Sequence, residues 1–177
     1  MKTNLSSQIK LVRIPQRYYA PASEIELASL TRNEKMYTKI FESSFEGACE
    51  VAKDIADVIK KSVDTKGHCT IGLGAGDNTL RVYSELVELY KKGKVSFDKV
   101  IVFNIGDFFP IDSTKSPSTI ARLKSTLLDK VDIKESNIHT FGDKATMEDV
   151  HQYCKNYEAE IEDNGGIDLL ICELGKL

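Results

Sequence analysis

Short apolar runs along this chain alternate with segments in which apolar residues recur every three or four positions. The runs predict strands, because a strand buried on both faces is apolar throughout, and the periodic segments predict amphipathic helices. The predicted strands are residues 37–41, 69–73, 100–103, 138–141 and 167–172. Strands that alternate with helices predict an α/β fold, a doubly wound and mostly parallel sheet flanked by helices.

Residues that favour a helix start precede each periodic segment. Ser43 and Glu46 have the spacing of a capping box, and Asn78 can cap the second helix. Pro117 occupies the favoured first position of the third helix, and Thr146 precedes the fourth. The first helix is expected to bury one face, formed by Phe45, Ala48, Cys49, Ala52, Ile55, Ala56 and Ile59.

The polar, irregular residues 1–36 are predicted to form an N-terminal arm, and residues 37–177 to form one α/β domain. The last nine residues, 169–177, have the pattern of a buried strand followed by a glycine turn. No helix follows to cover that strand, so the domain is expected to be incomplete at its C-terminus. An uncovered strand tends to pair with another chain. We therefore expect a homo-oligomer, or a partner chain that covers Leu169–Leu177.

Charge and composition exclude several functional classes. The 24 Lys and Arg residues are scattered and the net charge is −3, so nucleic-acid binding is not expected. No run approaches the ~20 apolar residues of a membrane span, and the N-terminus lacks a signal-peptide core. A cytoplasmic location is the default expectation. The four cysteines are interpreted as buried free thiols, the three histidines as loop or surface residues, and neither a metal nor a cofactor is expected.

Three junctions between a strand and its following loop carry candidate functional residues. Gly72–Asn78 joins a strand to a helix with glycines that would let a phosphate approach the helix N-terminus. Phe103–Phe109 places Asn104 and a carboxylate after the next strand, and Glu173–Gly175 follows the last one. If these strands are adjacent and parallel, the three loops line one crevice at the carboxyl end of the sheet.

Several separated motifs resemble, in order, the glucosamine-6-phosphate deaminase/isomerase family, whose relatives include the hydrolytic 6-phosphogluconolactonases. Gly72–Leu80 resembles the family loop G-L-x-T-G-x-T-P, and Phe103–Phe108 resembles F-N-M-D-E-Y. The similarity continues through Tyr83–Leu86, Ser96–Val100, Val131–Ile133, Asn137–Ile138, Tyr157–Glu158 and Gly166–Leu169. The similarity covers the N-terminal part of the family domain, and it implies that this chain has the Rossmann-like sheet of the family.

The resemblance implies a role in amino-sugar metabolism, an aldose–ketose isomerisation of glucosamine 6-phosphate with release of ammonia. A carboxylate near C2 is the base that such a proton transfer needs. The family's base aligns with Gly106, and its neighbouring glutamate aligns with Asp107, which is the candidate catalytic residue. The candidate substrate-binding residues are Gly74, Ala75, Gly76, Asp77, Asn78 and Asn104.

Other positions depart from the family pattern. Ala75 replaces a threonine, and Asp77 adds a negative charge that opposes phosphate binding unless it is neutralised, for example by a lysine brought in by the fold. The histidine segment that assists ring opening would begin at Leu177. Two interpretations follow and do not exclude one another. The chain is a piece of a longer deaminase-like protein, or it is a catalytically inactive module that binds a sugar phosphate or a partner.

Overall fold

The computed structural model describes residues 39–106, 118–140 and 148–172. Internal contacts divide the chain into two units, Met1–Gly47 and Ala48–Leu177. The strands are β1 (Cys69–Leu73), β2 (Val100–Asn104), β3 (Ile138–His139) and β4 (Leu169–Ile171). The helices are α1 (Ser44–Lys66), α2 (Asp77–Lys91), α3 (Thr119–Thr126) and α4 (Val150–Asp163), with 3-10 turns at Leu128–Lys130 and Glu135–Asn137.

The four strands form one sheet in the order β3-β2-β1-β4, and every neighbouring pair is parallel. The register between the two central strands runs from Cys69 opposite Val100 to Leu73 opposite Asn104. Each parallel connection passes through a helix, as such crossovers require. The predicted parallel α/β sheet is confirmed.

The two central strands, β1 and β2, consist mostly of apolar residues, and this explains their position in the middle of the sheet. All of β1 is buried, and β2 is buried at every residue except the half-buried Ile101. Apolar residues of α1, α2 and α3 form one cluster with the two central strands. The residues of this cluster that come from the helices are Ala52, Ile55, Ala56, Ile59, Tyr83, Leu86, Val87, Ile120 and Leu123. The predicted α1 face is confirmed from Ala48 onward, apart from the half-buried Cys49, whereas Phe45 is 57% exposed.

Helix α4 contacts the other face of the sheet. The Phe103 ring stacks on His139 at a centroid distance of 4.4 Å and meets Tyr157 of α4 edge-on at 5.4 Å. Side chains alternate along a strand, so Asn104 projects to the opposite face, with Val100 and Val102. Asn104 therefore lies on the face that packs against α2 and α3.

Several local predictions need correction. Residues 39–41 are not a strand, and α2 begins at Asp77, after Gly76 rather than after Asn78, because the glycine turn leads directly into the helix. Helix α3 is capped by Ser118, whose Oγ accepts a hydrogen bond from the backbone N–H of Ala121 at 3.3 Å. Pro117 and Thr146 lie outside the described residues.

The cysteine and histidine interpretations hold only in part. All four cysteines are free, but only Cys69 is buried, and burial raises its pKa to about 11. Cys172 is exposed. The expectation for His139 was wrong, because this residue lies in β3 and its half-buried ring stacks on Phe103. Among the described helices, none is long and apolar enough to cross a bilayer.

Candidate functional site

The loop between β1 and α2 is fixed by hydrogen bonds from the helix that follows it. The Tyr83 hydroxyl donates to the Gly74 carbonyl at 2.5 Å, and the Thr79 hydroxyl donates to the Gly76 carbonyl at 2.9 Å. Tyr83 is fully buried, so its hydroxyl is held firmly. The Gly74 N–H donates to the Ile171 carbonyl of β4 at 3.3 Å. These bonds set the loop in one conformation against the carboxyl ends of β1 and β4.

The N-terminus of α2 has no capping side chain. Its N-cap is Gly76, in an extended conformation and without a side-chain cap. In contrast, Ser43 accepts from the Glu46 N–H at the start of α1, and Ser118 caps α3. A helix N-terminus after a glycine loop carries the positive end of the helix dipole and suits an anion. The structure thus places Gly74, Ala75, Gly76, Asp77 and Asn78 at one helix start, as the sequence predicted.

The negative charge of Asp77 is neutralised by an arginine of α3. Arg122 Nη2 lies 2.5 Å from Asp77 Oδ1. The Asp77 side chain is 94% exposed, whereas the Arg122 side chain is 34% exposed. The group that pairs with Asp77 is therefore an arginine rather than a lysine. It comes from a helix that the sequence did not connect with the site.

Asn104 ends β2 beside the same loop and is the least satisfied polar side chain of the described structure. It is 1% exposed, and neither its Oδ1 nor its Nδ2 atom has a hydrogen-bond partner among the described residues. Its backbone is well held, since the Tyr157 hydroxyl donates to the Asn104 carbonyl at 2.9 Å. Leaving a buried amide unpaired costs about 1–3 kcal/mol of folding free energy, so Asn104 destabilises the fold relative to an apolar residue at this position.

The position of the family's base carries no side chain. Gly106 has a φ of +75°, and a Cβ there would meet no atom within 4 Å. The backbone conformation, rather than crowding, therefore makes glycine favourable at this position. The candidate catalytic residue Asp107 and the loop Glu173–Gly175 lie outside the described residues. The three strand ends are nevertheless adjacent, because β1 lies between β2 and β4.

Sequence reasoning missed three side chains that shape this site, namely Tyr83, Arg122 and Tyr157. The sequence pattern around Tyr83 does not indicate that its hydroxyl holds the loop. Arg122 could have been suspected, because the helix after β2 is expected to pack beside α2. Within residues 39–106, 118–140 and 148–172, no group of three or more His, Cys, Asp or Glu side chains is placed to hold a metal ion.

The structure is a parallel α/β domain in which a glycine loop leads from β1 into the N-terminus of α2. Residues 42–176 match the family model of glucosamine-6-phosphate isomerases/6-phosphogluconolactonase. The match covers most of the chain, and the chain therefore belongs to this family.

Curated relatives support the same assignment. The chain is 41% identical, over all of its 177 residues, to a glucosamine-6-phosphate deaminase-like protein of Bacteroides thetaiotaomicron, of which it covers 27%. It is 32% identical over 126 residues to the glucosamine-6-phosphate deaminase of Thermoanaerobacter pseudethanolicus, covering 71% of this chain and 49% of that relative. The chain thus spans between a quarter and a half of the length of these two relatives.

Solved structures share the fold. A monomeric glucosamine-6-phosphate deaminase superimposes with a TM-score of 0.68 at 21% identity, over 76% of this chain and 54% of that one. The 6-phosphogluconolactonase of Plasmodium vivax gives a TM-score of 0.67 at 20% identity, over 87% of this chain and 54% of that one. At these identities the comparison shows the fold alone.

Proposed function

We propose that this chain binds a sugar phosphate, with glucosamine 6-phosphate as the preferred ligand, at the carboxyl end of its sheet. The observation that carries the proposal is the unpaired amide of Asn104 beside a glycine loop that leads into a helix N-terminus. Open parallel sheets bind ligands at this end. Family membership and the deaminase relatives favour an amino-sugar phosphate.

Each part of the site suits one part of such a ligand. The phosphate would lie at the start of α2, where the backbone of Gly76 and Asp77 leads into the helix. The amide of Asn104 can both donate and accept, which matches a sugar hydroxyl or amine. Tyr83 and Tyr157 would hold the two strand ends in place without touching the ligand. Asp107 stays a prediction for the sugar side of the site.

Binding is better supported than isomerisation with loss of ammonia. Proton transfer at C2 needs a positioned base, and Gly106 offers none. Replacing Gly106 with Asp would place a side chain at a φ of +75°, where L-residues are strained. We expect no deaminase turnover from the wild type or from Gly106→Asp, measured as ammonia release from glucosamine 6-phosphate. Turnover in either protein would favour the enzymatic alternative.

Thermal unfolding with a panel of ligands tests the proposal. The panel comprises glucosamine 6-phosphate, fructose 6-phosphate, 6-phosphogluconate and inorganic phosphate. A ligand at 100 times its Kd stabilises by about 2.7 kcal/mol, which raises Tm by roughly 5–11 °C for a chain of this size. A shift selective for glucosamine 6-phosphate supports the proposal. A shift selective for 6-phosphogluconate would favour a lactonase-like hydrolase, and a cooperative transition without any shift would contradict sugar-phosphate binding.

We also infer that the chain self-associates, or recruits a covering chain, through β4. Within the described sheet β4 is an edge strand, and its Leu170 is 51% exposed. Val51 of α1 is 38% exposed and lines, with β4, an apolar groove of about 280 Å³. Light scattering of the wild type and Leu170→Lys tests this inference, with a smaller species expected for the variant. A monomeric wild type would contradict self-association. A cytoplasmic location remains a prediction from the sequence.

A further inference from the structure

The ion pair between Asp77 and Arg122 joins the first turn of α2 to α3. Arg122 Nη2 lies 2.5 Å from Asp77 Oδ1, and the two residues are 45 positions apart in the chain. The Asp77 side chain is almost entirely exposed to solvent, whereas about two thirds of the Arg122 side chain is buried. An exposed carboxylate gains little from such a pair. Stability alone therefore gives a weak reason for bringing an arginine to this point.

Arg122 retains most of its capacity to donate hydrogen bonds. A guanidinium has five N–H donors in a planar fork, and the contact with Asp77 Oδ1 uses one of them. Among the described residues no other acceptor contacts this guanidinium. Arginine recognises phosphate through two parallel N–H donors. Arg122 can thus offer this planar fork to a phosphate that displaces the Asp77 carboxylate.

Asn104 gives an independent indication that a ligand belongs here. Its side chain projects from the end of β2 onto the sheet face that packs against α2 and α3, and Leu73, opposite it in the register, leads into the loop of α2. Both polar atoms of its amide are buried and unpaired among the described residues. Asn104 of β2 and Arg122 of α3 thus belong to two different elements on the sheet face that carries α2.

We propose that Arg122 is a phosphate-binding residue of this site and that Asp77 positions its guanidinium until the ligand arrives. This proposal rests on the proposed sugar-phosphate function and deepens it. The phosphate would take the place of the Asp77 carboxylate on Arg122 and would contact the start of α2 at the same time. Asp77 then has two opposing effects, because it holds Arg122 in place and competes with the phosphate for it.

Isothermal titration with glucosamine 6-phosphate, and separately with inorganic phosphate, tests the proposal. Removing the guanidinium in Arg122→Ala should weaken binding of both probes roughly tenfold or more, the effect of losing charge-assisted hydrogen bonds. Arg122→Lys should recover part of this loss, because a lysine keeps the charge but not the planar fork. Asp77→Asn should tighten binding several-fold, because it removes the competing charge.

A second ion pair on α3 gives a matched control. Lys124 Nζ lies 2.8 Å from Glu135 Oε1, and the Lys124 side chain is about as exposed as that of Arg122. Lys124→Ala removes the same formal charge from the same helix and should leave both affinities within about twofold, since surface charges act weakly at a distance. Circular dichroism confirms that each variant is folded before it is titrated.

The outcomes separate this proposal from the one on which it rests. If the wild type binds and Arg122→Ala binds equally well, the role of Arg122 is overturned and sugar-phosphate binding stands. If Lys124→Ala weakens binding as much as Arg122→Ala does, the effect is one of net charge and the role of Arg122 is again overturned. If Asp77→Asn binds no more tightly, the claim that competition by Asp77 outweighs its positioning of Arg122 is overturned. If neither the wild type nor Asp77→Asn binds either probe, both proposals fail.

Discussion

The two ends of the sheet differ in how their polar groups are used. At the amino end, Asp168 accepts a hydrogen bond from the Thr70 N–H at 2.8 Å and pairs with Lys66 Nζ at 2.7 Å. Asp132 accepts from the Phe97 N–H at 2.6 Å. At this end carboxylates from the loops satisfy buried backbone groups.

The carboxyl end shows the opposite arrangement. The Asn104 amide is buried without a partner among the described residues, and Arg122 pairs with an exposed carboxylate. Groups that cost stability persist where the surrounding structure fixes them, and they concentrate at functional sites. The carboxylates of the amino end stabilise the fold, whereas the carboxyl end carries the unpaired amide on which the proposed binding site rests.

The largest expected effect follows from removing a carboxylate at the amino end. Asp168→Ala leaves the buried N–H of Thr70 without its acceptor and Lys66 without its partner. We expect a loss of about 2–3 kcal/mol in the free energy of unfolding, measured with urea. Asp77→Ala removes an exposed carboxylate at the other end and should cost less than about 1 kcal/mol. Equal losses would contradict the proposed difference between the two ends.

Replacing the unpaired amide of Asn104 should raise the free energy of unfolding instead of lowering it. Asn104→Leu substitutes an apolar side chain of similar size for a buried group without a partner. We expect the variant to be about 1–2 kcal/mol more stable and to lose the shift in Tm caused by glucosamine 6-phosphate. A destabilised variant would show that Asn104 is satisfied in solution. A stabilised variant that still responds to the ligand would remove Asn104 from the site.

A smaller loss of stability is expected from removing the Tyr157 hydroxyl, through which α4 contacts the ends of β2 and β3. The Tyr157 hydroxyl lies 2.9 Å from the Asn104 carbonyl and 3.2 Å from the His139 carbonyl, and burial raises its pKa, so it remains a donor. Tyr157→Phe should cost about 1 kcal/mol in unfolding free energy and should weaken ligand binding by displacing the end of β2. Unchanged affinity would limit Tyr157 to a role in stability.

The smallest expected effect is the pH dependence of the stability that Asp168 contributes at the amino end. Burial alone would raise the pKa of Asp168, but the hydrogen bonds from Lys66 and from the Thr70 N–H outweigh it and hold the pKa below its usual value. A lowered pKa in the folded state means that the carboxylate stabilises the protein above about pH 4, the value in the unfolded chain. This stabilisation is lost as the pH falls through the lowered pKa.

The stability difference between the wild type and Asp168→Asn tests this dependence. It should be constant from about pH 5 to 7 and should shrink below about pH 4. A difference that does not change across this range would mean that Asp168 acts through hydrogen bonding alone, with no contribution from its charge.

Some of this structure could be predicted because it depends on local pattern. The apolar runs at β1 and β2 and the glycine loop between β1 and α2 are visible in the sequence. The pairing of Arg122 with Asp77 could not be predicted, because it depends on how two helices pack across 45 residues. A strand was predicted at residues 138–141, but the polar side chain of His139 was assumed to face solvent, so the partial burial of its ring was missed. Its pairing with Phe103 in the sheet and the stacking of the two rings place it inside the fold.

Amide NMR during titration with glucosamine 6-phosphate tests the central claim most directly, because it observes both ends of the sheet at once. The account predicts chemical-shift changes for the backbone amides of Gly74 and Gly76 and for the side-chain amide of Asn104. The amides of Thr70 and Phe97 at the amino end should not respond. Changes confined to the amino end, or no changes at a ligand concentration of several millimolar, would contradict a sugar-phosphate site at the carboxyl end.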